Sequence, residues 1–402
     1  MVAATETARA GWPAIGHESL EWTSRYEFGP RAALGEQANR YEAAVPALIR
    51  QAEYSPTGSV AAELEDAAVA IREFDSELGA GLAPFASVLL RTESVSSSMI
   101  ENVSASARSV AMAELGDQSR QNATLIVDNV SAMKAALAAA DDLTPETILA
   151  MHRALMAHAD PGQAGKWREE PVWIGTSART PVGADYVAPR FERVPELIDD
   201  LAAFVKRNDV QVLAHAMLAH AQFETIHPFA DGNGRTGRAL LQAILRGKGL
   251  TRNVTVPISA GLLVDVRSYH LALDSYREGD PEAIVWMGAE AAFRAIENGR
   301  RLASDIGQAR ESWNGRISAR ADNAVWKVAD LLTRQPVVTS KVLEDELGLS
   351  RQTAWRAMGQ LEEAGIVVGV NKHKMGRNWR SEEILNALDA FARRAGRRGR
   401  AD

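Results

Sequence analysis

The chain contains no cysteine among its 402 residues. This absence excludes disulfide bonds, cysteine-ligated zinc sites and thiol-based catalysis. No uninterrupted apolar segment reaches the roughly 20 residues that a membrane-spanning helix needs. The first residues, Met1 to Trp12, also lack the basic cluster and apolar run of a signal peptide. We therefore expect a cytoplasmic protein with no membrane partner.

Aromatic residues are scarce, at 6% of the chain, whereas alanine- and leucine-rich stretches are frequent. This bias favours helix, so we predict a mainly α protein. The formal net charge of −7 argues against a protein that coats nucleic acid with its whole surface, although a global sum can hide a basic module. The chain is too long to fold around one hydrophobic core of ordinary size, so we predict two or three domains.

Four regions are predicted along the chain: an N-terminal helical region (1–120), a central core (121–305), a linker (306–320), and a C-terminal domain with a basic tail (321–402). The linker prediction rests on the polar composition of the stretch from Gly307 to Arg320.

Local signals predict elements within the core. Thr144 can cap a helix that has Pro145 at its first position. Residues 172–187 mix β-branched and aromatic residues with turn formers, which favours a short β-hairpin. Further helices are predicted from Val194, over 210–226 and over 236–247.

The loop between the last two of these helices carries groups suited to phosphate chemistry. Pro228 disfavours helical geometry at His227, so the incoming helix should end there and present the imidazole beside the loop. The run Asp231-Gly232-Asn233-Gly234 allows backbone angles closed to most residues, so successive N–H groups can converge on an anion. The next helix adds the positive end of its dipole at the same point.

Charged side chains accompany this loop. Arg235 and Arg238 are three positions apart and share one helix face. Asp231 offers a carboxylate for Mg²⁺, an ion that proteins usually hold through one or two carboxylates and the phosphates of the substrate. A structural anion site or an ordinary glycine-rich turn would not require a histidine, an aspartate and two arginines at these offsets.

The stretch resembles the signature of the Fic family (filamentation induced by cyclic AMP), His-x-Phe-x-Asp/Glu-Gly-Asn-Gly-Arg-x-x-Arg. The resemblance implies a Fic-type helical core in which His227 deprotonates a protein hydroxyl and Asp231 holds Mg²⁺. AMP would then pass from ATP to a Ser, Thr or Tyr side chain of a target, with release of pyrophosphate. All eight fixed positions are filled, by His227, Phe229, Asp231, Gly232, Asn233, Gly234, Arg235 and Arg238. The residues assigned to ATP and its phosphates are Gly232, Asn233, Gly234, Arg235, Thr236, Gly237, Arg238 and Tyr269.

Some assignments stay open. The hairpin resembles the family's flap, which would bind an extended target segment by strand pairing, but a plain surface hairpin fits equally well. Tyr269 either lines the adenine pocket or belongs to the core. Since the loop contacts phosphates and hardly reads the base, another nucleotide donor is also open. His215 and His220 lie at a spacing that disfavours a shared metal, and we expect them to be packed or capping residues.

An upstream segment resembles the inhibitory helix of the family, Ser/Thr-x-x-x-Glu-Gly/Asn, through Ser97, Glu101 and Asn102. The resemblance implies that Glu101 pairs with Arg238 and fills the space of the γ-phosphate, which would hold the enzyme in an off state. Two alternatives remain: Glu101 as an exposed helix residue, and Glu101 as the group that positions water for removal of AMP.

The segment 340–367 predicts helix, glycine-containing turn, helix and strand, the order of a winged helix-turn-helix. From Glu311 onward, sixteen lysines and arginines outnumber twelve acidic residues, which favours a nucleic-acid contact. DNA and a protein partner both fit this domain. Residues predicted near the start of the second helix or on the wing are Arg351, Gln352, Thr353, Arg356, Lys372, Lys374, Arg377 and Arg380.

Two functions follow from these observations. The first is an autoinhibited protein adenylyltransferase; the alternative is a DNA-binding regulator that uses the same pocket to sense a nucleotide. The sequence leaves the oligomeric state open, a homo-oligomer included.

Overall fold

The computed structural model describes residues 11–22, 40–81, 84–175, 180–372 and 376–396. Helix dominates these residues, as predicted. The helices of the first half are α1 (Gly58–Gly81), α2 (Pro84–Ile100), α3 (Ala107–Glu114), α4 (Gln121–Ala138), α5 (Pro145–Leu155) and α6 (Val194–Val205). Those of the second half are α7 (Val212–Ile226), α8 (Asn233–Gly247), α9 (Ile258–Leu263), α10 (Val266–Arg277), α11 (Glu282–Ser312), α12 (Ala324–Arg334), α13 (Ser340–Leu347), α14 (Arg351–Glu363) and α15 (Glu382–Gly396).

Short strands form three separate sheets. They are β1 (Gly16–Glu21), β2 (Arg40–Val45), β3 (Trp173–Ile174), β4 (Tyr186–Val187), β5 (Val337–Thr339), β6 (Val368–Lys372) and β7 (Gly376–Arg380). β1 pairs with β2 and β3 with β4, both antiparallel, and the third sheet has the order β5-β7-β6. No helix in the described part of the chain is long and apolar enough to cross a bilayer.

Local signals set several helix ends as expected. Thr144 accepts a hydrogen bond from the backbone of Thr147, the Thr147 hydroxyl bonds back to Thr144, and Pro145 occupies the first helical position. α7 begins two residues later than predicted, because the side chain of Gln211 caps it at Ala214.

The core is built around α7. Every residue from Leu213 to Ile226 is buried, because α1, α6, α8, α10 and α11 surround the helix. A helix that is buried on all sides belongs at the centre of a domain. The α7–α8 junction is therefore anchored at both ends by buried helices.

The predicted hairpin is present, with Trp173 opposite Val187 in the β3–β4 pair. Residues 176–179, at its tip, lie outside the described residues. The β1–β2 hairpin, which the sequence analysis did not predict, packs against it: the rings of Trp22 and Trp173 meet edge to face at 5.5 Å.

The C-terminal elements run α12, β5, α13, α14, β6, β7, α15, which confirms the winged helix-turn-helix order. Gly348, in the left-handed region at φ 64°, ends α13, and Ser350 caps α14 through the amide of Thr353.

The predicted linker differs from the structure. α11 continues to Ser312 and is followed by a short 3₁₀ helix, Trp313–Gly315. Trp313 is fully buried and donates a hydrogen bond from its indole nitrogen to Glu383. Polar residues from Gly307 to Ser312 lie on a continuing helix, and the irregular connection to α12 spans residues 316–323, so the linker prediction overlaps it only at its end.

The winged helix shares an apolar core with the rest of the chain. Phe85 and Val88 of α2 and Leu302 of α11 cluster with Leu332 of α12 and Phe391 of α15. The Arg91 guanidinium of α2 also donates to the backbone oxygen of Arg334 at 3.1 Å. The C-terminal domain thus packs directly on α2.

Candidate active site

A cavity of about 900 Å³ opens at the α7–α8 junction. This is within the usual size range of small-molecule sites. The loop contributes His227, Ala230, Asp231, Gly232, Asn233, Gly234, Arg235 and Arg238 to its wall, and other elements contribute Glu101, Ile174, Tyr186, Glu224, Tyr269, His270 and Arg277 among others.

His227 ends α7 in the left-handed conformation, φ 50° and ψ 60°. Its Nδ1 lies 3.2 Å from the backbone oxygen of Glu224. A carbonyl oxygen only accepts, so the network assigns the proton to Nδ1 and leaves the lone pair on Nε2. Within the described residues Nε2 makes no hydrogen bond, and the side chain is 20% exposed in the cavity wall. This imidazole is therefore arranged to accept a proton.

The electrostatic environment keeps His227 neutral. Burial lowers its pKa to about 4, an effect that the hydrogen bond to Glu224 opposes and the charges of Arg277 and Arg168 reinforce. Burial raises the pKa of Glu224 itself to about 7. At neutral pH the histidine is consequently in its basic form.

The backbone after the histidine has the geometry that was expected for an anion site. Gly232 takes φ 78°, and α8 begins at the next residue. The first intrahelical hydrogen bond is that from Thr236 to Gly232, so the N–H groups of Asn233, Gly234 and Arg235 have no partner further back in the helix. These donors, at the positive end of the α8 dipole, line the cavity.

Asn233 within the loop and aromatic side chains from elsewhere in the chain hold this loop in place. The amide of Asn233 bonds both the N–H and the carbonyl of Phe229, at 2.9 and 2.8 Å. The Phe229 ring stacks on His152 at 3.6 Å and on Trp167 at 5.0 Å. His152 accepts from the amide of Gly165 at Nδ1, so its Nε2 donates to the Asp231 carbonyl at 3.0 Å.

Arg235 and Arg238 both line the cavity, as predicted. Arg238 is engaged through Nε and Nη2: Nε donates to the hydroxyl of Ser97, and Nη2 donates to the Ser97 carbonyl and to the Glu101 carboxylate. Arg235 lies 3.5 Å from Asp231, and its buried Nε and Nη1 make no hydrogen bond within the described residues. Buried donors without partners cost free energy, which an anion would recover.

Two other predicted phosphate ligands are corrected by the structure. Thr236 and Gly237 do not line the cavity. A carbon added at Gly237 would meet Phe223 and Glu224 of α7 at about 3 Å. Helical periodicity turns both positions towards the packed interior, where Gly237 lets α8 approach α7 closely.

The Asp231 carboxylate suits the Mg²⁺ assigned to it. The side chain is 70% exposed and borders the cavity beside the N–H donors. One oxygen accepts from the amide of Gly232, and the other has only the distant contact with Arg235. Mg²⁺ prefers oxygen ligands, and the Asp231 carboxylate has an oxygen available for coordination next to the expected phosphate position.

Glu101 lies against the first turn of α8, beside Arg238. Its Oε1 lies 2.8 Å from Nη2 of Arg238 and so close to Gly234 that an added carbon there would overlap it. Burial raises the pKa of Glu101, but Arg238 and Arg235 together hold it below the ordinary value. The carboxylate is therefore charged and stands where an anionic ligand would lie.

The helix end at Asn102 fixes this carboxylate. Asn102 has φ 60° and donates to the carbonyl of Met99, while Val103 donates to that of Ser98. This pair of bonds is a Schellman motif, which needs a residue that tolerates the left-handed region, usually glycine or asparagine. Asn102 thus fixes Glu101 as the C-cap residue, directly after the last residue of α2.

The remaining core residues have packing roles. The Tyr269 hydroxyl lies 2.8 Å from Nε2 of His220, and Tyr269 is a buried core residue that also lines the cavity. His215 is buried and bonds the carbonyl of Phe204. Within the described residues, no three side chains form a metal-binding cluster.

The predicted DNA-contacting residues divide into two groups. Arg351, Gln352 and Arg356 are exposed on α14, and Thr353 is half-buried beside Ser350. Lys372 belongs to β6, and Lys374 lies outside the described residues. By contrast, Arg377 pairs with Glu362 at 2.8 Å and Arg380 bonds Glu382, so these two wing arginines are engaged within the chain.

Comparison with known families agrees with this geometry. Residues 142–245 match the Fic/DOC family, and residues 327–376 match a helix-turn-helix domain family. The protein adenylyltransferase fic-1 of Caenorhabditis elegans is 34% identical over 109 residues, which are 27% of this chain and 20% of that protein. The protein adenylyltransferase Fic of Drosophila grimshawi is 32% identical over 167 residues, 42% of this chain and 32% of that protein. The chain thus matches a third or less of the length of these relatives.

A solved structure shows the same fold. A Fic family protein from Desulfovibrio desulfuricans G20 superposes over 82% of this chain and 98% of its own length, with a TM-score of 0.50 and 22% identity. Residues 142–245 of this chain therefore form a Fic/DOC family domain, which a helix-turn-helix domain follows.

Proposed function

We propose that the chain transfers AMP from ATP to a hydroxyl group of a protein. One arrangement carries the proposal: the free Nε2 of His227 faces the same cavity as the N–H groups of α8, Arg235 and Arg238. A proton acceptor beside a cationic, amide-lined site is the equipment that nucleotidyl transfer needs. Relatives that carry the name protein adenylyltransferase support the same assignment.

The proposed reaction is an in-line displacement. The target oxygen forms a bond to the α-phosphorus, and the bond from that phosphorus to the oxygen bridging to the β-phosphorus breaks. The hydroxyl proton passes to Nε2 of His227, and pyrophosphate leaves with the bond electrons. The chain's contribution is positioning and stabilisation of charge.

The phosphates are assigned to different groups. The N–H groups of Asn233 and Gly234 face the α- and β-phosphates, Arg235 offers its unsatisfied donors, and Arg238 serves the γ-phosphate. When bound through Asp231, Mg²⁺ supplies charge neutralisation to the phosphates. Because these contacts involve phosphate and not base, ATP as the donor rests on the relatives, and the adenine is assigned to the side of the cavity with Tyr269.

Glu101 lies in the space that the proposal assigns to the triphosphate. Its carboxylate neutralises Arg238 and lies over Gly234, so ATP must displace it or bind in a different pose. We propose that this is an autoinhibited state. The target segment is assigned to the β3–β4 flap, whose Ile174 is exposed at the cavity edge.

The helix-turn-helix match and the exposed residues of α14 favour a second activity, DNA binding. Arg351, Gln352 and Arg356 lie on the helix that enters the major groove in this domain class. In the alternative function the nucleotide pocket only senses a ligand and DNA binding is the output.

Labelling with ATP that carries its label on the α-phosphate tests the proposal. We expect the Glu101→Gly protein to modify itself more than the parent does, because Arg238 and the space over Gly234 become free. A second substitution, His227→Ala, should abolish the labelling, whereas His158→Ala, at a histidine that does not line the cavity, should not. Intact-mass analysis with mixed nucleotides then identifies the donor. Nucleotide binding without any covalent label under every Mg²⁺ condition would support the sensor instead.

A further inference from the structure

A buried arginine connects the catalytic loop to the flap. Arg168, which precedes β3, is only 2% exposed. Its Nε donates to the carbonyl of His227 at 2.8 Å, and its backbone N–H donates to that of Pro228 at 3.0 Å. Its Nη1 donates to the Glu170 carbonyl at 3.1 Å, and Nη2 donates to the carbonyl of Pro189, just after β4.

All these acceptors are neutral carbonyl groups. Among the described residues Arg168 forms no ion pair with a carboxylate, and burial lowers its pKa to about 10, so it remains a cation at neutral pH. A buried charge without a counter-ion costs free energy, and an apolar side chain would fill the space more cheaply. What the guanidinium supplies is a rigid planar fork that fixes several backbone segments at once.

The two segments it joins are the ones that must meet during transfer. The His227 carbonyl belongs to a residue in the left-handed conformation, so the bond to Arg168 fixes the peptide plane from which the imidazole projects. Pro189 follows the flap strand β4, and the Tyr186 hydroxyl of that strand bonds the Thr225 carbonyl of α7. The guanidinium therefore sets the distance between the flap and the base.

We propose that Arg168 is a positioning residue that holds the flap, and with it the target hydroxyl, in register with Nε2 of His227. The inference rests on the proposed transfer reaction and adds a residue outside the family signature to it. It predicts that loss of the fork disturbs the loop and the flap together.

Substitution in the Glu101→Gly background tests the role in catalysis. Misplacement of reacting groups by about 1 Å costs on the order of 100-fold in rate, and we expect a loss of this order in self-labelling for Arg168→Met. Arg168→Lys should recover only part of it, since one ammonium cannot serve all the carbonyls. Arg190→Met is the matched control, because Arg190 is exposed next to Pro189 and its side chain bonds only Glu192 among the described residues. Equal labelling of Arg168→Met and its Glu101→Gly parent would overturn the inference while leaving the transfer reaction intact.

The pH profile distinguishes positioning from a general loss of structure. Glu224, Arg277, Arg168 and Glu101 are the charged or titratable groups that act on His227. Because the Arg168 cation lowers the pKa of His227, its removal should raise that pKa and move the acid limb of the labelling profile to higher pH. An unfolded fraction would lower the whole profile without moving it.

Amide hydrogen exchange supplies a readout that needs no activity. The amides of Phe229 in the loop and Ala188 in the flap are both hydrogen-bonded, to Asn233 and to Val172. In Arg168→Met both should exchange faster than in Arg190→Met. If neither changes, or only one does, Arg168 does not couple the two segments, whether or not the protein transfers AMP.

Discussion

The Glu101 carboxylate stands directly over the Cα of Gly234, so that a single methyl group at position 234 would overlap its Oε1. The same oxygen is held by Arg238 at 2.8 Å. In the proposed function, Glu101 and a bound phosphate therefore compete for one small volume above the first turn of α8, and the absence of a side chain at Gly234 is what makes that volume available.

Gly234→Ala in the Glu101→Gly background should block the anion site with a methyl group. We expect the KM for ATP in self-labelling to rise by at least about tenfold, equivalent to about 1.4 kcal/mol of binding free energy. Gly307→Ala, on an exposed face where an added carbon meets nothing within 4 Å, is the control. An unchanged KM would show that the phosphates bind elsewhere.

Substitution of Asn102 should weaken inhibition without touching the carboxylate. A side chain other than glycine or asparagine costs about 1–2 kcal/mol in the left-handed conformation, so Asn102→Val should loosen the last turn of α2 and raise self-labelling above that of the parent. Asn102→Gly keeps the required backbone angle and should remain as inhibited as the parent. Equal labelling of the two variants would mean that the conformation at residue 102 does not hold Glu101 in place.

The acid limb of the plot of kcat/KM against pH should reflect the lowered pKa of His227. Burial lowers this pKa to about 4, and the imidazole accepts a proton only above it. In Glu101→Gly, which removes a charge that raises the His227 pKa, kcat/KM for ATP should stay flat from neutral pH down to about 6 and fall only as the pH approaches 4. A midpoint near the ordinary histidine value of about 6.5 would contradict the assigned environment of the base.

Exposed residues of α14 should carry DNA affinity if the C-terminal domain binds DNA. The probe is a random-sequence duplex. Arg351→Ala combined with Arg356→Ala should weaken binding. The slope of log K against log salt concentration should also become shallower, by an amount that corresponds to the loss of up to about two phosphate contacts. Arg300→Ala, at an exposed arginine of α11 paired with Glu77, should have no effect. Absence of binding by the parent at low salt would favour a protein partner for this domain.

The catalytic loop could be predicted from the sequence because its geometry is local. Pro228 forces His227 out of the helix, and glycines at positions 232 and 234 permit the turn and the close approach above it. The same local reasoning misplaced Thr236 and Gly237, because one signature contains both cavity residues and residues that pack α8 on α7.

Residues that depend on tertiary contacts escaped prediction. Arg168 and His152 reach the loop from positions far away in the chain, and nothing in their local sequence indicates which carbonyl groups they meet. The extent of α11 was missed for a related reason: burial of Leu302 and Ile306 maintains the helix, and that burial comes from the C-terminal domain.

The common core of α2 and the winged helix affects how shortened versions of the protein should be interpreted. Phe85 and Val88 of α2 contact the same cluster as Phe391 of α15, only a few turns from Glu101 along α2. A chain cut after α11 would expose these side chains to water and remove the residues that pack against α2, the helix that precedes Glu101. Higher activity of such a fragment could therefore come from the loss of the domain that packs on α2, and would not by itself report the activity of the loop after His227.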